Sequence, residues 1–338
     1  MILDRWQRPL GHLRISVTDR CNLRCAYCMP EPDYVWLPRT TLLTFEELTR
    51  VTRLFAGLGV RHVRLTGGEP LLRAQVADLT AQLAAIGTLD DLAMTTNGVL
   101  LAAQATRLRE AGLRRITVSL DTLQRARFEA LTRRDHLADV LAGIDAAVTV
   151  FGAVKLDTVL MRGVNDDEIE ALVAFAGSRH AEIRFIEYMD VPGATHWEAA
   201  KVVSRSDILR RVQEAFGDIE TLAPDGPAPA SRYRLASGQV FGIIASTTTP
   251  FCSTCDRIRL TADGHLFSCL YATQGLDIRT PLRTGASDED LVALLTTTWQ
   301  QRADRGAEAR LSAPDRGAFI AVEDLRRAPQ LEMHTRGG

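Results

Sequence analysis

The stretch Cys21-Asn-Leu-Arg-Cys25-Ala-Tyr-Cys28 sets three thiols at the spacing C-x3-C-x2-C. Structural zinc usually takes four protein ligands, so this set is one short for zinc. A [4Fe–4S] cube held by three thiolates keeps one iron free of protein ligands. That iron can bind a small molecule through nitrogen and oxygen atoms. The spacing points to a cluster that takes part in chemistry, with a zinc or redox loop as the alternative.

A second set follows far downstream: Cys252-Ser-Thr-Cys255, thirteen intervening residues, then Cys269. The chain has six cysteines, and the two sets use them all. Scattered core cysteines would not divide this way, and disulfides are not expected in a reducing cytosol. At the second set zinc stays open, because His265 could complete the ligands. Within it, Asp256-Arg257-Ile258-Arg259 puts two guanidinium forks beside the thiols. Such forks suit an anionic or heteroaromatic substrate, although a solvated strand with Arg on one face has the same pattern.

The elements that must position these residues read as strand, loop and helix, repeated. Leu13–Thr18, Val60–Thr66, Asp91–Thr96, Arg115–Leu120, Ala153–Met161 and Ala181–Tyr188 are short β-rich runs. Amphipathic stretches at Thr44–Leu58, Leu71–Ile86 and Leu137–Val150 lie between them, the first opening on a Thr44–Glu47 capping box. Such βα units imply a parallel sheet with helices outside, either doubly wound or a barrel. The strands alternate: Arg14 and Ser16 oppose Leu13 and Ile15, His62 and Arg64 oppose Val63 and Leu65, and Lys155 shares a face with Asp157. A closed eight-stranded barrel fills its interior with branched apolar residues. A polar, basic inner wall fits an incomplete barrel that holds a charged ligand. After the loop Leu222–Ser231, a hairpin over Arg232–Ser246 and a helix from Ser287 mark a change of character.

Composition narrows the class. The 338 residues suffice for one large or two ordinary domains, with 46% hydrophobic and 24% charged residues as in a soluble globular protein. Lys plus Arg number 40 against 42 Asp plus Glu, so no basic excess advertises a nucleic-acid partner. No apolar run of about 18 residues predicts a membrane span. The residues Met1–Pro9 lack the apolar core of a signal peptide, so the expected location is the cytoplasm. All 40 basic residues are Arg except Lys155 and Lys201. A surviving Lys is a compact point charge, and Lys155 falls on the inner wall.

With its thiol loop after the first strand, the chain resembles the radical S-adenosylmethionine (SAM) superfamily. The resemblance extends to Gly67-Gly68-Glu69-Pro70 after strand two and to the turns Thr95-Thr96-Asn97-Gly98 and Ser119-Leu-Asp121. It implies that Cys21, Cys25 and Cys28 hold a [4Fe–4S] cluster whose open iron chelates SAM. Tyr27, Gly68, Ser119 and Met189 would then contact SAM, and Thr95 the substrate. Read alone, the Gly pair and both turns are ordinary turn chemistry, and Met189 is core.

The second trio with Arg257-x-Arg259, Leu13–Cys21, Arg64–Pro70, Glu182–Glu187, Phe251–Cys255 and the terminal Gly337-Gly338 resemble the GTP 3′,8-cyclase family of molybdenum cofactor biosynthesis. The resemblance covers nearly the whole chain. It implies an incomplete (βα)6 barrel over residues 4–228. A C-terminal α+β extension over 229–338 would carry the second cluster and close the barrel. It implies two [4Fe–4S] clusters and SAM, the second cluster held by Cys252, Cys255 and Cys269. Arg14, Arg64, Thr95, Lys155, Arg184, Arg257, Ile258 and Arg259 would bind GTP, and Gly337 and Gly338 would enter the active site and serve turnover. It further implies a cytosolic electron donor, delivery of product to cyclic pyranopterin monophosphate synthase, and a homodimer. The position of His62 departs from a Lys in a related member and carries no assigned role, nor does Arg336. A peptide-maturing radical SAM enzyme with an auxiliary cluster, or a non-catalytic zinc or redox scaffold, are the rival readings.

Overall fold

The computed structural model describes residues 2–314 and 316–337. Gly338, half of the expected double-glycine end, lies outside the described residues.

Six strands follow the expected runs to within one or two residues at either end: β1 His12–Ser16, β2 His62–Thr66, β3 Asp91–Thr96, β4 Arg115–Ser119, β5 Val154–Leu160 and β6 Glu182–Glu187. Each pairs in parallel with the next. The helices between them are α1 Phe45–Leu58, α2 Val76–Ala84, α3 Ala105–Glu110, α4 Arg125–Thr132, α5 Leu137–Phe151 and α6 Ile169–Ser178. Helix α1 starts where Thr44 and Glu47 cap each other's backbone. Its buried Leu48, Val51, Thr52 and Phe55 recur at helical spacing and pack on the sheet. The expected helix over Leu71–Ile86 is shorter: Pro70–Leu72 form a 3₁₀ turn, and Gln75 sits at a left-handed φ of 59° before α2 begins. Left-handed backbone cannot continue an α-helix.

The strand alternation sorts the two faces. Leu13, Ile15, Val63, Leu65, Met94, Ile116, Val118, Leu156, Ile183 and Phe185 are all buried on the helix side. Each such side chain contributes about 1.5–3 kcal/mol by leaving water. The opposite face keeps Arg14, Arg64, Thr95, Thr117, Lys155, Asp157 and Arg184 for the interior of the curved sheet.

The C-terminal third adds to both edges. After α7 Arg205–Phe216 come β7 Ile219–Thr221, β8 Ser231–Leu235 and β9 Val240–Ile244, and β9 pairs in parallel with β6. Then β10 Arg257–Leu260 pairs in parallel with β1, followed by β11 His265–Phe267 and β12 Leu276–Asp277. The result is one twelve-stranded sheet in the order β12-β11-β10-β1-β2-β3-β4-β5-β6-β9-β8-β7. Its edges do not pair with each other, so the barrel is incomplete. The remaining helices are α8 Arg279–Arg283, α9 Asp288–Gln300, α10 Gly306–Leu311 and α11 Val322–Arg327. Among the described residues no helix is long and apolar enough to cross a membrane.

Candidate active site

The first thiol loop hangs from the C-terminal end of β1. Arg24 and Ala26 donate backbone N–H bonds to the carbonyls of Thr132 and Leu131 at the end of α4. Cys28 and Met29 donate to the Cys25 carbonyl, and Leu23 N–H and the Asn97 amide point at the Cys21 sulfur. The Gly67-Gly68 turn is more than a tight corner. Gly68 and Glu69 donate backbone bonds to Thr18 and Arg20, and a Cβ on Gly68 would lie 2.3 Å from the Arg20 carbonyl oxygen. Only glycine lets this turn press against the thiol loop. Glu69 is fully buried and accepts from Leu71 N, Thr96 Oγ1 and Asn97 N, tying the turns after β2 and β3 together.

Cys21, Cys25 and Cys28 line one cavity with Tyr27, Gly68, Thr95, Ser119 and Met189. All four expected SAM contacts therefore meet the first trio. The Tyr27 hydroxyl donates to Asp121, whose other oxygen accepts from Val159 N. Asp121, Asn97, Asp157, Met333 and His334 also line the cavity; none of these was among the expected contacts.

The donor sets fit iron–sulfur clusters. Burial, then neighbouring acids and thiols, pushes the Cys25 thiol well up, burial and Cys21 push Cys28 up, and burial pushes Cys21 up to about 11. Three thiolates packed this way need cationic charge among them, which bound iron supplies. In the second trio burial is outweighed by Arg257 and Arg302, which bring Cys255 down to about 7. Arg302 reaches the Cys255 sulfur at 3.3 Å and its carbonyl at 2.7 Å. Arg8 holds the Cys252 carbonyl at 2.7 Å, and Asp4 bonds both Arg8 and Arg302. Burial pushes the Cys252 thiol up, and backbone N–H groups of Glu308 and Ala307 offset part of that. Among the described residues no three His, Cys, Asp or Glu side chains are grouped to hold a single metal ion. In a cubane each thiolate binds its own iron, so convergence on one point is not required. His265 bonds Asp263 through Nδ1 at 3.1 Å.

Between the trios lies the cationic wall. Arg64 reaches Thr95 Oγ1 at 3.0 Å and Thr117 Oγ1 at 3.1 Å. Arg184 is bonded to Glu182 at 2.7 Å. Burial and the charges of Arg259, Arg64 and Arg257 depress Arg14, and burial brings Arg64 and Arg259 down to about 10. Burial and then Arg184 bring Lys155 down to about 8. Cations held this close are in want of a polyanion. Arg257 stacks on Phe251 at 4.7 Å and keeps a buried Nη2 without a partner among the described residues. Ile258 differs from its neighbours: the alternation of β10 buries its side chain in the apolar core, so only its backbone faces the site. His62 stacks on His12 with ring centroids 4.4 Å apart, and His12 bonds Asp256.

The chain end enters this space. Gly337 has φ 65°, and a Cβ there would lie 1.9 Å from Thr66 Oγ1. Its carbonyl accepts from Arg14 at 3.2 Å and Arg259 at 2.8 Å. Arg336 is fully buried, lies 4.0 Å over Phe267, and donates to the carbonyls of Leu270 and Ala272, which follow Cys269. His334 packs edge-on against Tyr34 and Trp36, and its Nδ1 is buried without a partner among the described residues. Burial and then Arg24 push its imidazole down to about 3. A free imidazole binds a proton below about pH 6.5, whereas the docked ring does not until near 3, so docking is fully stable above about 6.5. It then weakens as pH falls, by up to about 1.4 kcal/mol per pH unit. Amide exchange of residues 332–337, corrected for intrinsic rates, is expected to quicken from about pH 7.5 to 5.5, and His334→Gln to flatten the trend. An unchanged pH trend in the variant would refute it.

Two family models match the chain: the radical SAM superfamily over residues 15–176 and Molybdenum Cofactor Synthesis C over residues 181–308. GTP 3′,8-cyclase 1 of Mycobacterium tuberculosis is 52% identical over 342 residues, covering 100% of this chain and 95% of that protein. GTP 3′,8-cyclase of Acidothermus cellulolyticus is 50% identical over 321 residues, covering 91% and 88%. Among solved structures, Streptococcus suis SuiB bound to S-adenosylmethionine matches with a TM-score of 0.59 at 17% identity, covering 90% of this chain and 68% of that one. That likeness speaks for the fold alone. Half of all positions shared along the full length, with both cysteine trios in place, decide the assignment: the chain belongs to the GTP 3′,8-cyclase family of radical SAM enzymes.

Proposed function

We propose that this protein converts GTP to 3′,8-cyclo-7,8-dihydro-GTP, the first step of molybdenum cofactor biosynthesis. The C3′–H bond of the ribose is broken and a C3′–C8 bond to guanine is formed. The single observation that carries this reading is the wall of Arg14, Arg64, Arg257 and Arg259 between two cysteine trios, whose mutual repulsion a triphosphate relieves. When bound, the clusters and SAM supply the one-electron chemistry that removes a hydrogen atom from the substrate.

The chain's own residues bind, orient and exclude water. Cys21, Cys25 and Cys28 would hold the cluster that binds SAM, with Tyr27, Gly68, Ser119 and Met189 around SAM. Cys252, Cys255 and Cys269 would hold the cluster that meets guanine. Arg14, Arg64, Thr95, Lys155, Arg184, Arg257, Arg259 and the backbone of Ile258 would receive GTP, with Gly337 and Gly338 reaching in from the chain end. In domain terms residues 4–228 form the SAM-binding core and 229–338 the substrate side. Six free thiols in two cluster sets fit a reducing cytoplasm. A cytosolic electron donor, delivery of product to cyclic pyranopterin monophosphate synthase, and a homodimer complete the proposal, supported by the family resemblance.

Anaerobic incubation with SAM, GTP and a reductant tests the reading. 5′-Deoxyadenosine is expected to rise when GTP is added; no rise removes GTP as the substrate. Lys155 gives a second check. Its cationic form attracts the triphosphate and is lost as pH rises through about 8 in the free enzyme. GTP affinity is expected to fall between about pH 7.5 and 9, by at most about tenfold per pH unit. Lys155→Ala should weaken binding and flatten this trend, most visibly at low salt. Unchanged GTP affinity in the variant would remove Lys155 from the site.

A further inference from the structure

The ion network beside the second cysteine trio carries one more positive charge than its carboxylate offsets. Asp4 is buried and accepts from two buried guanidinium groups, from Arg8 Nε at 2.6 Å and from Arg302 Nη1 at 3.3 Å. Its other oxygen accepts from the backbone N–H groups of Trp6 and Arg8. Asp304 is partly exposed and comes no nearer to Arg302 than 4.0 Å. A buried cation short of counter-charge is costly. The Cys255 sulfur can supply the balance as a thiolate, and Arg302 Nη2 donates to it at 3.3 Å. The guanidinium is fixed in that position. It lies 4.5 Å from the Trp299 ring, and its Nη1 also bonds the Cys255 carbonyl at 2.7 Å. Trp299 is itself fully buried and donates to the Arg8 carbonyl at 3.2 Å.

The first trio has no such device. Cys21 accepts from the Leu23 N–H at 3.4 Å and the Asn97 amide at 3.8 Å, both neutral donors. Among the described residues, Arg302 is the one charged side chain that hydrogen-bonds a sulfur of either trio. A charged donor draws electron density from a thiolate and so favours the more negative, reduced form of a cluster bound there. We infer that Arg302, held by Asp4, is a positioning residue that acts on the second cluster through Cys255 and raises its one-electron reduction potential. The first cluster, without a charged donor, is left the more reducing of the two, as one-electron cleavage of SAM requires. The inference rests on the second trio holding a cluster and does not depend on GTP being the substrate.

The full chain carrying Cys25→Ala isolates the second cluster for measurement, with about four iron atoms expected per chain after anaerobic reconstitution. Redox titration followed by electron paramagnetic resonance would compare this parent with the same chain carrying Arg302→Gln or Arg302→Lys. Arg302→Gln is expected to shift the one-electron equilibrium toward the oxidised cluster by about 10- to 100-fold, a fall in potential of about 60 to 120 mV. Arg302→Lys keeps the charge without the planar fork and should fall by less. If the Gln variant alone loses iron, the Lys variant gives the answer, and a fall of more than about threefold there supports the inference. Retained iron with a shift below about threefold, or a rise in potential, would overturn it. Loss of iron from both variants would make Arg302 a structural support only, and would overturn it too. Absence of iron from the parent would end the two-cluster reading and the inference with it, whereas iron without a shift ends the inference alone. Formation of 5′-deoxyadenosine by the wild-type enzyme reports on the GTP reading separately.

Discussion

Replacing Cys252 with Ala is expected to leave SAM cleavage measurable but slowed, and to abolish the cyclised product. The two thiol loops are supported independently. The first rests on the carbonyls of Leu131 and Thr132, on Asn97 and on the Gly68 turn. The second rests on Arg8, Arg302 and Asp4, with none of those groups shared. Loss of one thiolate from the second trio leaves two ligands, too few for a stable cluster, while the first site keeps its full set. Iron should fall from about eight to about four per chain. 5′-Deoxyadenosine should still form, and mass spectrometry should find no cyclised nucleotide. Cys25→Ala is the mirror case, with the second cluster retained and no 5′-deoxyadenosine at all. A Cys252→Ala enzyme with full product formation would end the substrate role of the second cluster.

The second large effect is expected at Arg259. This guanidinium is buried, donates to the Gly337 carbonyl at 2.8 Å, and has its charge favoured by Cys255 and Cys269. It therefore bonds Gly337 while lying within electrostatic reach of the second trio. A hydrogen bond from a charged donor is worth about 1.5–3 kcal/mol, or about 10- to 100-fold. Arg259→Ala loses the hold on Gly337 and a contact to the substrate anion, so kcat/KM for GTP should fall by about 10²- to 10⁴-fold. Arg259→Lys keeps a charge but not the planar fork, and should recover part of the loss. Amide exchange of the chain end would rise in the Ala variant. Steady-state kinetics showing less than about a threefold fall would exclude Arg259 from both roles.

The alternation of β1, β2 and β5 was sufficient to place Arg14, Arg64 and Lys155 on the inner face, because side-chain direction along a strand has a period of two residues. The same rule explains Ile258. Its neighbours Arg257 and Arg259 face inward, so its own side chain is committed to the core. The α1 boundary was legible because its Thr44–Glu47 cap is local. The start of α2 was not, since Gln75 takes a left-handed turn that its residue type does not announce. Asp157 was visible as an inward residue beside Lys155, but nothing local reveals that its Oδ1 is buried without a partner among the described residues. Asp121 and His334 belong to the site through contacts over 90 residues or more, with Tyr27 and with Tyr34 and Trp36.

Sequence spacing alone was enough to predict the two thiol trios and the inward polarity of the strands, because both depend on covalent neighbours and backbone period. It could not say that β10 returns beside β1 in parallel, a pairing that joins residues 12–15 to 257–260. That pairing sets Arg259 beside Arg14 and Arg257 beside His12, and so joins the strand that follows the second trio to the strand that precedes the first. Nor could it say that Arg336 is buried on Phe267, with the Gly337 carbonyl held between Arg14 and Arg259. Such convergence is a property of packing: charges and carbonyls separated by hundreds of residues meet only when the apolar faces of sheet and helices are buried together.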